Sequence, residues 1–228
     1  MESGSVVERV RAEGFLLLLD LPPEALAATV EAVLASGVKI LAVSADSAGP
    51  AEVAARAAGQ ADPRAIVGGE VRSLRAARDA LRAGARFLLM PTLDPDAIRL
   101  SRDAGVPIIS GVLTPTELRQ ARDLGVEAVE IFPAGSLGPA YFSALRRAVP
   151  DIVLLAAGEL APKQIGPFFD AGAAAAVVSP AWTREGASGV VASLQGIREA
   201  VSRARGKTRG WWGRWAPQEA RPIEGPDK

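Results

Sequence analysis

One alternation runs through the chain eight times: a short apolar run, then an Ala-, Leu- and Arg-rich segment with helical spacing. The runs fall at 15–20, 38–44, 64–69, 86–91, 106–111, 127–132, 152–157 and 174–179. They are nearly unbroken, as in Phe15-Leu16-Leu17-Leu18-Leu19 and Val153-Leu154-Leu155-Ala156. A strand with one wet face alternates apolar and polar residues, whereas an unbroken run suits a parallel strand covered on both faces. The helical segments close on Ser36-Gly37, Ala83-Gly84, Ala104-Gly105, Leu124-Gly125 and Ala171-Gly172. Glycine there accepts the left-handed conformation that stops a helix before a strand. Pro22-Pro23, Pro95, Pro115 and Pro162 open helices, where a missing N–H costs nothing, and Asp94 and Thr114 are the expected N-caps. Eight such units of ~22 residues predict a single (β/α)8 TIM barrel, with a doubly wound open sheet as the competing arrangement of the same elements.

Composition narrows the chemistry. The 26 basic and 26 acidic residues balance, so no global field draws the chain to nucleic acid. Cysteine is absent, which removes disulfides, thiol nucleophiles and thiolate metal sites. Histidine is absent too, and with it the commonest general base and metal ligand. Lysine occurs only at Lys39, Lys163, Lys207 and Lys228. No apolar run reaches the roughly 18 residues of a membrane span. The Met1-Glu2-Ser3-Gly4 start lacks the basic and apolar regions of a secretory signal, so a soluble cytoplasmic protein is expected.

The expected barrel ends near residue 203. The remainder, 204–228, sets Arg205, Lys207, Arg209 and Arg214 around Trp211, Trp212 and Trp215 and finishes in a Pro-rich polar stretch. Basic residues interleaved with aromatics fit a membrane-surface or nucleic-acid contact. The simpler expectation is a poorly ordered extension whose tryptophans dock on the barrel or a neighbouring subunit.

Several phrases, in order, resemble the 2-keto-3-deoxy-6-phosphogluconate (KDPG) and 4-hydroxy-2-oxoglutarate aldolases. These are Gly37-Val38-Lys39-Ile40-Leu41-Ala42-Val43-Ser44, Ile66-Val67-Gly68-Gly69, Ala83-Gly84-Ala85-Arg86-Phe87, Val106-Pro107-Ile108-Ile109-Ser110-Gly111-Val112-Leu113-Thr114-Pro115-Thr116-Glu117-Leu118, and Ile131-Phe132-Pro133-Ala134. The likeness covers about residues 10–200. It implies a TIM barrel, a pyruvate-releasing lyase acting on a 2-keto acid, and a homotrimer. By position it implies substrate contacts at Ser44, Pro91, Ser110, Gly111, Phe132, Gly158 and Ser179.

The reactive positions depart from that pattern. In the family the sixth strand carries a lysine whose amine attacks the substrate ketone; here the position is Glu130, and a carboxylate forms no imine. The acid/base glutamate of the second strand is replaced by Ala42, and the substrate-binding arginine by Asp46. Glu70-Val71 replaces a Gly-Thr-Val segment, and Ala157-Gly158-Glu159 replaces a Thr-Gly-Gly that belongs to the family's phosphate site. None of the four lysines falls where an inward, desolvated amine is needed.

The replacements are acids. Asp46, Glu70, Glu130 and Glu159 all fall at strand C-terminal ends, which a TIM barrel gathers on one face. Four convergent carboxylates repel one another unless a divalent cation, an arginine such as Arg72 or Arg64, or protonation offsets the charge. Mg²⁺ or Mn²⁺ held by two or three of these acids would polarise a 2-keto acid electrophilically, with Glu130 and Glu70 as the catalytic pair. The other reading is a barrel that has lost catalysis and binds or senses a small metabolite.

Overall fold

A computed structural model describes residues 5–45, 48–62, 64–179 and 186–208. Eight parallel strands close into a barrel in the order β1 to β8. The strands are β1 Phe15–Leu19, β2 Ile40–Ser44, β3 Ile66–Glu70, β4 Leu88–Met90, β5 Ile108–Val112, β6 Ala128–Ile131, β7 Val153–Ala156 and β8 Ala175–Val178. Each falls within one of the apolar runs or one residue beyond it. The helix α1 (Val6–Glu13) precedes the barrel. The outer layer is α2 (Pro23–Ala35), α3 (Ala48–Ala61), α4 (Leu74–Arg82), α5 (Pro95–Asp103), α6 (Pro115–Asp123), α7 (Ala134–Ala148), α8 (Pro162–Asp170) and α9 (Gly186–Thr208). The last helix passes residue 203 and runs to Thr208; the tryptophan-bearing segment lies outside the described residues. Among the described residues no helix is long and apolar enough to cross a membrane.

Local chemistry sets the element ends. The glycines of the five small–Gly pairs take φ between 66° and 102°. Asp94 caps α5 by accepting from the Asp96 and Ala97 amides at 2.8 and 3.2 Å. Thr114 caps α6, and Glu117 returns the contact by accepting from the Leu113 and Thr114 amides at 3.0 and 2.8 Å. That reciprocal capping box pulls the Glu117 carboxyl below the usual range against the opposing effect of its partial burial, which is the largest single influence on it.

Alternate strand residues face opposite sides, and two separate cores result. Leu17, Val43, Val67, Met90, Val129, Leu154 and Val178 pack outward under the helices. Leu16, Ile40, Ala42, Phe87, Leu89, Ile109, Ala128, Leu155 and Val177 fill the barrel, and α1 closes its N-terminal end with Val6, Val7 and Val10. Following the strand register around the barrel stacks the inward residues in rings of four. From the α1 end these are Ile40, Phe87, Ala128 and Ala175; then Leu16, Gly68, Ile109 and Leu155; then Ala42, Leu89, Glu130 and Val177. Above them come Leu18, Glu70, Gly111 and Ala157, and at the mouth Ser44, Pro91, Phe132 and Ser179.

Two of these ring positions accept no side chain. A Cβ at Gly68 would enter the ring of Phe87, and a Cβ at Gly111 would enter the Pro91 backbone. A phenyl ring can rotate aside, but backbone cannot. Gly111→Ala is therefore expected to destabilise the barrel by about 3 kcal/mol, the cost of overpacking a site that cannot relax. Gly59→Ala, on the open face of α3, is expected to gain roughly 0.5–1 kcal/mol. Urea melts of the two variants check both signs.

Candidate active site

The register brings together most of the residues singled out by sequence. Glu130 lies in the third ring and is 3 % exposed; Glu70 lies one ring nearer the mouth and is 6 % exposed. Ser44 is the β2 partner of Glu70 and faces inward with it, and Gly111 is the β5 partner of Glu130. Pro91, Phe132 and Ser179 complete the mouth.

Other residues go elsewhere. Ser110 shares the outward parity of Ile108 and Val112, so its buried hydroxyl faces the helix layer and not the mouth. The odd–even alternation of a strand allows only one of Ser110 and Gly111 to face inward, and Gly111 does. Gly158 turns the β7–α8 loop with φ 100° and packs on Pro133 and the Phe132 ring, 3.0 and 3.4 Å from where its Cβ would stand. Glu159 follows it, exposed at the rim with φ 48°. Asp46 lies outside the described residues, and so does the comparison of all four acids.

Burial dominates the electrostatics of the pair. Loss of water, and after it the nearby Glu70 carboxylate, push the Glu130 carboxyl from an ordinary 4.5 up to about 8. It is a neutral acid at pH 7. Among the described residues nothing hydrogen-bonds that carboxyl. Glu70 is held instead by Arg72, whose Nη2 sits 3.2 Å from Oε2 and 3.4 Å from Oε1. Of the three ways to offset the acids, protonation and an arginine are thus both in use. Arg64 is not the arginine: it pairs with Asp62 at 3.5 Å, at the N-terminal end of β3. Lys39 also pairs with Asp62, at 2.8 Å, at that same far end.

For a divalent metal, the described residues contain no group of three His, Cys, Asp or Glu placed to hold one. Among the described residues Glu70 and Glu130 are the inward carboxyls available to it. An ion there would compete with Arg72 for the first and with a proton for the second.

Three further residues shape the site. Ala42 lies in the Glu130 ring, where a small side chain leaves room beside the acid. Leu137, 40 % exposed, stands beyond Phe132, itself 45 % exposed, at the start of α7. Tyr141 packs under the β5–α6 loop, donating to the Leu113 carbonyl at 2.6 Å. The Thr114-x-x-Glu117 spacing was a legible signal for the capping box.

A closed parallel barrel with ionisable side chains at the C-terminal ends of its strands belongs to the class in which βα loops carry the site. Within that class the chain belongs to the KDPG and KHG aldolase family, which it matches over residues 19–193. It is 33 % identical over 131 residues to the 2-dehydro-3-deoxy-6-phosphogalactonate aldolase of Escherichia coli K12, a match covering 54 % of this chain. That match spans 64 % of the E. coli protein, just under two thirds of its length. A solved native KDPGal structure superposes with a TM-score of 0.74 at 26 % identity, covering 83 % of this chain and 95 % of the other. The KDPG aldolase of Legionella pneumophila, solved with pyruvate captured as a covalent carbinolamine, shares the fold (TM-score 0.70, 19 % identity, 87 % of this chain and 97 % of that one).

Proposed function

We propose that this barrel is a lyase that cleaves a 2-oxo acid to release pyruvate, using a pair of carboxyls in place of an imine. The observation that carries the reading is the buried, neutral and unpartnered carboxyl of Glu130 one ring below an arginine-held Glu70. A carboxyl kept neutral by burial next to one held by an arginine places a proton donor beside a proton acceptor.

The chemistry follows from those states. Glu70 accepts the proton of the substrate's C4 hydroxyl as the C3–C4 bond breaks and the aldehyde forms. The bond's electron pair moves through C3 to the C2 ketone, and Glu130 donates its proton to that oxygen, giving the enol of pyruvate. Glu70 then returns its proton to C3 while the enol O–H goes back to Glu130, so both residues end as they began. A neutral acid donating to a developing oxyanion in a dry site is worth far more than the same contact in water. The family membership and the resemblance to aldolases that handle phosphorylated 2-keto acids support the substrate class.

The test is pyruvate release from KDPG, 4-hydroxy-2-oxoglutarate and 2-keto-3-deoxygluconate. It is run in EDTA, with added Mg²⁺ or Mn²⁺, and after treatment with pyruvate and borohydride. Turnover of at least one substrate in EDTA that survives borohydride is expected. Borohydride inactivation would show an amine and end the carboxyl mechanism. Turnover only with metal would make the pair a metal site. Pyruvate binding without turnover would make the protein a non-catalytic barrel that senses a metabolite.

A further inference from the structure

The mouth above the acid pair has a character of its own. Phe132 and Leu137, the large apolar side chains most open to water among the described residues, stand on the β6–α7 side. Gly158 lies against Pro133 and the Phe132 ring, and Glu159 is the next residue along the rim. Glu159 takes φ 48°, a left-handed conformation that a glycine would adopt without strain. The β1–α2 loop, two strands further round the barrel, carries the exposed Asp20. On the cationic side, Arg72 is engaged with Glu70, and Lys163 lies in the first turn of α8. Arg184 and Glu185, of opposite charge, fall outside the described residues. Below the rim the Glu70–Arg72 pair adds no net charge, so Glu159 is the carboxylate that sets the sign there.

Resting on the 2-oxo-acid reading above, we infer that the mouth selects substrates whose far end carries no negative charge, and that Glu159 sets this preference. The apolar face of Phe132 and Leu137 accepts the carbon skeleton of a hydroxylated chain. A terminal phosphate at the rim would meet the Glu159 carboxylate, a like-charge contact that added salt weakens. This chain would then differ from the E. coli relative, whose name specifies a 6-phosphorylated substrate.

The ligands that test this are pyruvate, 2-keto-3-deoxygluconate and its 6-phosphate, titrated calorimetrically into the full chain and into Glu159→Gln and Glu159→Lys. The unphosphorylated sugar acid is expected to bind wild type about tenfold tighter or more, with Glu159→Gln narrowing the ratio and Glu159→Lys closing or reversing it. Equal or tighter binding of the phosphate by wild type would overturn the inference. So would a ratio that Glu159→Lys leaves unchanged, or pyruvate binding with neither sugar acid bound. Failure of pyruvate itself to bind would instead overturn the 2-oxo-acid reading, so the two ideas fail separately.

Discussion

Glu130→Gln is expected to melt at the same temperature as wild type below pH 4.5 and well above it at pH 9. The Glu130 carboxyl is held protonated up to about pH 8 in the fold, against an ordinary 4.5. Between those values the folded chain binds a proton that the unfolded chain has released, so wild-type stability falls as pH rises through the window. The loss is complete once pH exceeds the folded value. Across the window the cost reaches roughly 4–5 kcal/mol, at about 1.4 kcal/mol per pH unit. Glutamine has the shape of the neutral acid and does not titrate, so it escapes the loss. For a chain of this size the expected gain is on the order of ten degrees at pH 9. A melting difference that is the same at pH 4.5 and pH 9 would show that Glu130 does not carry a raised pKa. The same variant is expected to release no pyruvate, since an amide donates a hydrogen bond but transfers no proton.

Glu70→Gln should lower pyruvate release by about 10²- to 10⁴-fold, the range for losing a positioned general base. The loss belongs in kcat, because the amide keeps the shape of the site and the hydrogen-bonding reach of the side chain. One further consequence separates this role from a structural one. The Glu70 charge helps to raise Glu130, so its removal should draw the Glu130 titration to lower pH and shift the stability profile with it. A carboxyl-carbon NMR titration of Glu130 in both proteins reads that shift directly. An unchanged titration, or a variant that turns over at the wild-type rate, would remove Glu70 from the mechanism. Arg72 is half exposed, so its release from Glu70 should cost the fold little.

Much of the architecture was legible because its causes are local. Unbroken apolar runs, proline at helix starts and the small–Gly stops all act within a few residues, and the eight strands fall where those signals lie. The loss of the imine lysine was equally plain, being a matter of residue identity at Glu130. Ser110 was harder: its neighbour Gly111 carries the same motif, and only strand parity separates them. The four acids looked equivalent along the chain, all at strand ends. In the fold Glu130 is enclosed, Glu70 is tied to Arg72 and Glu159 is on the rim.

The sequence by itself determined the alternation, and through it a parallel barrel with carboxyls at its mouth, since strand and helix patterning depend on nearest neighbours along the chain. Only the tertiary structure decided what each carboxyl is. Closing the sheet staggers each strand against the next, and that stagger sets the ring in which a side chain lies. Depth in the ring stack sets how much water reaches a carboxyl and which charge it meets. Water and neighbouring charge decide whether it is an acid or a base, and both come from residues distant in the chain.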